Sequence, residues 1–299
     1  MKLDDLRAFA AFAAHGSVSR AAQHLHLSQP ALTRRIQRLE ASLGGKLLDR
    51  AAKPARVSAF GQRVYERAQR VLSEAAGLKG LARADGEPSG TFRLGAVQSV
   101  SDTVSVEAVR TLKSRFPKLR LELRAELSAE LIRQVELGRL DAAAVMLAPG
   151  ATLPPGIVGT YVGTQRILIV AGKDYAGVGA SATLAELAAS PWVLYAEGSC
   201  ICRIALQRSL EAQGHQLQVA VSEHGLGHQL ALVSAGAGLG CVAEAALRIS
   251  RHRSRLRQVR VKELDLRFEI WLAHPPHPGA LAGPIQCFAQ TVAKRFASA

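Results

Sequence analysis

The sequence predicts an α/β chain of two unlike parts: a short helical opening that ends in a small hairpin, and a longer region of alternating strands and helices. Three observations predict it. Apolar residues recur at helical spacing from Leu3 to Leu78, interrupted by capping residues and one short extended pair. From about residue 91, short aliphatic runs alternate with helical patterns, the signature of strands crossed over by helices. The chain has 299 residues, 48% of them hydrophobic and 21% charged, which is enough for more than one globular core.

In the opening part, Leu3, Leu6, Ala10 and Ala13 share one helical face, and His15-Gly16 closes the first helix. Ser17 is placed to cap a second, which carries Val18, Ala21, Ala22 and Leu25 and stops near Leu27. Ser28 caps a third, with Pro30 in its first turn, where a missing N–H costs nothing. That helix runs to Gly44-Gly45. Its stripe Leu32, Ile36, Leu39 and Leu43 is expected to face inward, which turns Gln29, Thr33, Arg34, Gln37 and Arg38 outward as a basic, amide-bearing face. Lys46 to Arg50 and Ala55 to Ser58, joined by residues 51–54, suit a hairpin with a basic tip. Beyond it Phe60, Val64, Ala68, Val71, Ala75 and Leu78 step by four and three residues. This is the spacing of a coiled-coil seam, so a long helix that pairs with its own copy is expected.

Gly86-Glu87-Pro88-Ser89-Gly90 reads as a linker. After it come strand Phe92 to Val97, a helix ending at Arg115-Phe116-Pro117, strand Leu119 to Leu123, helix Ala129 to Leu137 and strand Ala142 to Met146, a βαβαβ unit with a parallel sheet. A second series follows: strand Arg166 to Ala171, a helix opened by the capping box Thr183-x-x-Glu186, strand Trp192 to Tyr195, a helix from about Arg203 to Gly214, strand Leu217 to Val221, and a helix ending at Gly236. Strand Phe268 to Leu272 and helix Ile285 to Phe296 are expected to return to the first lobe. The expected division is 1–58, a linker helix 59–88, and a two-lobed region 89–299, with one lobe from 91–163 and 269–299 and the other from 164–268.

The formal net charge is +14. Between Arg20 and Arg70 eleven bases face three acids, so more than half the excess lies on the helical part and points to a polyanionic partner. A second basic run, Arg248 to Lys262, reads as a solvated helix end and edge strand, with nucleic acid, RNA polymerase or an anionic ligand as alternative contacts. No window carries the ~20 apolar residues of a membrane span, and the early acids Asp4 and Asp5 do not fit a signal peptide, so a cytoplasmic protein without a membrane partner is expected. Four scattered cysteines are expected to be reduced. There is no Gly-x-Ser-x-Gly elbow, phosphate loop or His-Glu-x-x-His, and Gly236 to Gly240 lacks dinucleotide spacing and reads as close packing of a helix end. No catalysis, cofactor or bound metal is expected. Cys200-x-Cys202, with His224-x-x-x-His228 downstream, keeps a thiol or metal sensor open beside an organic-ligand reading. A small-molecule binding protein with no DNA role is a further alternative.

A helix, a turn and a second helix with a basic outer face, followed by a basic hairpin, meet what a major-groove reader needs. The run from Ala21 to Gly44, AAQHLHLSQPALTRRIQRLEASLG, with Leu47-Leu48-Asp49-Arg50 and Ser58-x-x-Gly61, resembles the winged helix-turn-helix of LysR-type transcriptional regulators. Gly138-Arg139-Leu140-Asp141 and Gly225-Leu226-Gly227 extend the likeness. Leu48 and Val57-Ser58 depart from the usual Phe and Leu-Thr.

The resemblance implies a transcriptional regulator that binds double-stranded DNA as a homodimer or homotetramer. It also implies a two-lobed effector domain similar to periplasmic binding proteins, with a small, anionic or polar organic effector between the lobes. Carried onto matching positions, it implies that Gln29 and Pro30 approach base edges, that Ser28, Thr33, Arg34 and Arg35 hold the duplex, and that Lys53 and Arg56 serve the wing. For the effector it directs attention to strand-to-helix junctions, where free N–H groups suit an anion: Ser99, Ser101 and Ser128 in one lobe and Ser199, Cys200 and Arg203 in the other.

Overall fold

A computed structural model describes residues 1–52, 54–81, 87–196 and 200–296. The helical part consists of α1 (Leu3–His15), α2 (Val18–His24), α3 (Gln29–Leu43), the two-residue strands β1 (Leu48–Asp49) and β2 (Arg56–Val57), and α4 (Ala59–Leu81). Its core is Phe9, Phe12, Leu32, Ile36, Leu39 and Leu47, all fully buried. Gly16 and Gly44 end α1 and α3 in left-handed backbone. Leu43 departs from the expected inward stripe. It falls in the last turn of α3, beyond the reach of the core, and is exposed.

The seam on α4 is divided in the same way. Phe60, Val64 and Ala68 pack on the core of their own unit with Tyr65, whose ring meets Phe9 edge to face at 6.4 Å. Only farther along do apolar side chains turn to solvent: Val71 is 42% and Leu78 is 70% exposed. The hairpin is fixed to α4 by Ser58. Its Oγ accepts the Gly61 N–H at 2.9 Å and donates to the Lys46 carbonyl at 2.7 Å. A side chain at Gly61 would lie 2.2 Å from the Leu47 carbonyl oxygen, which accounts for the glycine three residues after the serine.

The second unit is built from β3 (Gly90–Ala96), α5 (Gln98–Arg115), β4 (Leu119–Ala125), α6 (Ser128–Glu136), β5 (Ala142–Leu147), β6 (Val158–Gly172), α7 (Leu184–Ala189), β7 (Trp192–Tyr195), α8 (Ile201–Glu211), β8 (Val219–Glu223), α9 (Leu226–Ser234), β9 (Gly240–Ala243), α10 (Glu244–Ile249), β10 (Leu256–Val259), β11 (Leu266–His274) and α11 (Ala282–Phe296). Strands β3, β4 and β5 are parallel, as the βαβαβ pattern requires. The sheet order is β10-β6-β11-β5-β3-β4, with β9 also paired to β6 and a separate parallel pair β7-β8. The Gly138-to-Asp141 motif has a local cause. Gly138 leaves α6 in left-handed backbone, and Asp141 accepts the Arg93 N–H at 2.7 Å while its carboxylate pairs with the Arg93 guanidinium, joining the start of β5 to β3.

The expected change of lobe at 163/164 falls inside one strand. β6 runs for 15 residues and from Val158 to Ile167 pairs with β11, so two adjacent antiparallel strands pass from one lobe to the other. The crossing is marked by a bulge in β6: Ile270 and Trp271 of β11 face Gly163 and Tyr161, which leaves Val162 as the extra residue. Gly163 has φ +147°, and a side chain there would collide with the Phe296 backbone. Of the glycines before β9, Gly238 is close-packed, since a side chain there would meet the Pro191 carbonyl at 2.3 Å, whereas Gly236 follows α9 in left-handed backbone with open space around it. Among the described residues, no helix is long and apolar enough to cross a membrane.

Candidate functional site

On the helical unit, Ser28 sits in extended backbone before α3, and its Oγ accepts the Ala31 N–H at 3.3 Å. Gln29 and Thr33 are four residues apart, as are Pro30 and Arg34. Helical geometry therefore puts all four on one face, where with Val18 they line a shallow open concavity. Arg35 is half-buried and does not line this concavity, while Ser28 is exposed at the start of α3. Arg38, which the pattern also turned outward, is drawn to the buried carboxylate of Asp5 at 2.6 Å. Arg56 is exposed on β2 opposite Asp49. Lys53 lies outside the described residues.

The sequence reading passed over Glu40, a buried acid in a basic segment. Its Oε1 accepts the N–H groups of Leu47 at 2.9 Å and Leu48 at 3.4 Å, and its Oε2 pairs with Arg50 at 2.9 Å. One carboxylate thus ties the hairpin to the last turns of α3. Its signal was its isolation among bases.

In the second unit a cavity of about 270 Å³ lies between the lobes. One wall carries Val97, Ser99, Ser128 and Met146, and the other Tyr195, Cys200, Cys202, Arg203, Gln229 and Cys241, with His224 at the edge. Ser99 and Ser128 are therefore brought together with Cys200 and Arg203 around one space. Ser128 Oγ also accepts the Met146 N–H at 3.0 Å, fixing the end of β5. Ser101 does not join them. Two helical residues from Ser99 is a turn of about 200°, so Ser101 faces away and its Oγ lies 3.1 Å from that of Ser105. Ser199 lies outside the described residues. Arg203 is buried and donates from Nη1 to the Tyr195 carbonyl at 2.8 Å, so much of its donor capacity already serves the end of β7. Gln229, also unforeseen, is buried and donates from Nε2 to the carbonyls of Val193 and Cys241, joining α9 to β7 and β9.

Three of the four cysteines line this cavity. The Cys200 thiol is lowered to about 6. The cause is hydrogen bonding from the Cys202 side chain, which outweighs burial and is helped by the N–H groups of Arg203 and Cys202 and the Arg203 charge. Cys202 moves the other way, held protonated by its bond to Cys200 and by burial. Burial raises Cys241 as well. His228 does not meet the thiols, since its Nδ1 lies 2.6 Å from Glu223 Oε2. Among the described residues, no three His, Cys, Asp or Glu side chains converge as a metal cage would require.

With this geometry in view, comparison with known proteins identifies the class. Residues 3–62 match the family of bacterial regulatory helix-turn-helix proteins of the lysR type, and residues 85–297 match the LysR substrate binding domain. A probable hydrogen peroxide-inducible genes activator of Streptomyces viridosporus is 31% identical over 255 residues, covering 84% of this chain and 80% of that protein. The HTH-type transcriptional regulator YofA of Bacillus subtilis is 26% identical over 254 residues, 85% of each. Among solved structures, full-length OxyR from Pseudomonas aeruginosa superposes with a TM-score of 0.75 at 20% identity, covering 98% of this chain and 94% of that one. CbnR bound to its target DNA gives 0.64 at 22% identity, covering 97% and 100%. The chain belongs to the LysR family. It is a DNA-binding transcriptional regulator with a small-molecule-binding domain.

Proposed function

We propose that this regulator reads DNA through the exposed face of α3 and responds to a thiol-reactive oxidant of the peroxide class at Cys200. The observation that carries the trigger is Cys200 on the wall of the cavity between the lobes, with its thiol lowered to about 6. Peroxides react with thiolates far faster than with thiols, and a thiol held near pH 6 is mostly thiolate at neutral pH. The likeness to hydrogen peroxide-inducible genes activators supports the same reading.

On the DNA side, Gln29 and Pro30 meet base edges, Ser28, Thr33, Arg34 and Arg35 hold the duplex, and Arg56 and Lys53 serve the wing. An amide pairs with adenine and a guanidinium with guanine or phosphate. The exposed Val71 and Leu78 on α4 bring two chains together, in a dimer or a pair of dimers. On this reading the protein works in the cytoplasm, on duplex DNA, with RNA polymerase as the downstream contact and without catalysis of its own.

The mostly apolar lining favours a second reading, in which an organic effector fills the cavity against Ser99, Ser128 and Arg203. Genome-wide mapping of bound sites and their transcripts, before and after hydrogen peroxide, separates the two. The oxidant reading expects a change in the wild type that Cys200→Ser abolishes. A full response in Cys200→Ser overturns it in favour of the organic effector.

A further inference from the structure

The cavity holds more thiol chemistry than a single reactive sulfur needs. Cys202 is 9% exposed, lies two residues from Cys200 and lines the same space, whereas Cys241, which also lines it, belongs to β9. Backbone pairing with Ile169 on β6 holds Cys241 in register. Two residues of chain span at most ~7 Å, and a disulfide needs its Cα atoms ~4.4–6.8 Å apart. Cys200 and Cys202 therefore stand at or near bridging distance along the chain, with only the two side chains to be brought together. A bridge to Cys241 would instead tie the start of α8 to a strand held in its sheet by backbone pairing.

We infer that Cys202 is the resolving thiol: oxidised Cys200 closes a disulfide with Cys202 across the start of α8, in preference to Cys241. This rests on the oxidant reading above. The Cys200 thiolate attacks one peroxide oxygen and the O–O bond breaks. Cys200 becomes a sulfenic acid, and the other oxygen leaves as hydroxide, which takes the proton given up when Cys200 ionised and becomes water. The Cys202 sulfur then attacks the Cys200 sulfur, the S–O bond breaks, and the departing hydroxide takes the Cys202 proton to form a second water. Two thiols lose two electrons and one peroxide gains them. Once Cys200 is oxidised it no longer bears the charge that keeps Cys202 protonated, so the first step prepares the second. Closing the bridge pulls Cys200 into the first turn of α8 and strains the adjoining Arg203, whose bond to the Tyr195 carbonyl joins this helix to β7.

The sequence supplies a clean assay. Cleavage after Lys173 and Arg203 releases peptide 174–203, which contains Cys200 and Cys202 and no other cysteine, while cleavage after Arg208 and Arg248 releases peptide 209–248 with Cys241 alone. Full-length reduced protein is treated with one equivalent of hydrogen peroxide, alkylated under acid and digested. The expected result is loss of two hydrogens from peptide 174–203 in the wild type and in Cys241→Ser. In Cys202→Ser the same peptide should instead carry one added oxygen that a dimedone probe captures. Linkage of peptides 174–203 and 209–248 in the wild type overturns the inference and assigns resolution to Cys241. A wild-type Cys200 that stops at sulfenic acid overturns it as well. Cys200 left unoxidised refutes the oxidant trigger itself, an outcome distinct from the other two. Because the wild-type peptides decide the matter, the result does not depend on the folding of a variant.

Discussion

Replacing Glu40 by Ala should loosen the wing of the helical unit without touching the second one. Glu40 is buried, and its Oε1 serves two buried N–H groups, those of Leu47 and Leu48. A hydrogen bond to a charged acceptor contributes ~1.5–3 kcal/mol, so losing two costs about 3 to 6 kcal/mol. The ion pair with Arg50 adds little to this, because Arg50 is itself well exposed to solvent. Set against the ~5–15 kcal/mol that holds a typical domain folded, this removes much of the margin of a small one. Urea unfolding tests the figure with a built-in control. Both tryptophans, Trp192 and Trp271, belong to the second unit, so their fluorescence midpoint should stay in place while helical circular dichroism shows an earlier transition. Affinity for DNA should fall in parallel. Glu40→Gln, which keeps an acceptor oxygen, should fall between the two. Coincident dichroism curves for wild type and Glu40→Ala would refute the assignment of this carboxylate as the anchor of the wing.

Gln29→Ala should lower the ratio of specific to random DNA affinity by roughly 5- to 150-fold, equivalent to ~1–3 kcal/mol, whereas Arg34→Ala should weaken both kinds of binding; competition gel shifts measure the ratio. Val71→Glu places a charge on the exposed stripe of α4 and should shift sedimentation from dimer toward monomer, while Phe60→Ala, on the part that packs inward, should lower stability first. The rate of Cys200 alkylation by iodoacetamide should be high at pH 7 and fall as pH drops through about 6, because protonation removes the thiolate; a midpoint near the ~8.5 of an ordinary thiol would contradict the environment described for it. Gly61→Ala should destabilise the helical unit, since its methyl group must displace the Leu47 carbonyl, and thermal unfolding followed by dichroism reads the loss.

The parts of this protein that were legible in the sequence are those whose cause is local. Ser28 capping, Pro30 in the first turn and the stripe of Leu32, Ile36 and Leu39 specify α3 within fifteen residues, and so specify which side chains face outward. The capping box at Thr183 and Glu186 was equally readable: the Thr183 Oγ1 accepts the Glu186 N–H, and the Glu186 carboxylate accepts the Thr183 N–H. The long crossing strand was not. Between Val158 and Gln165 it contains two glycines and two threonines, and it is held by pairing with β11 a hundred residues away, so its own residues do not announce it. The four-residue strand β9 was hidden for the same reason, behind a glycine cluster whose purpose is to clear the Pro191 backbone. On α4 the periodicity was read correctly but its two ends face different neighbours, which a repeat of four and three residues cannot distinguish.

The surroundings of Cys200 show how a shift of two residues changes chemistry. The helical pattern places the start of the helix after β7 at about Arg203, with Cys200 at the strand-to-helix junction ahead of it. The helix begins at Ile201, so Cys200 becomes its cap residue, next to the amides of Cys202 and Arg203 that help lower its thiol. The same two residues then supply four separate stabilising influences on a thiolate: the Cys202 thiol, the two amides and the Arg203 charge. Burial alone acts against ionisation, as it does at Cys241, which lines the same cavity without such donors and is raised. The contrast between two cysteines in one cavity therefore isolates the cause. It is the start of α8, rather than the dielectric of the cleft, that sets Cys200 apart, and moving that helix start is the way for oxidation to be felt beyond the sulfur.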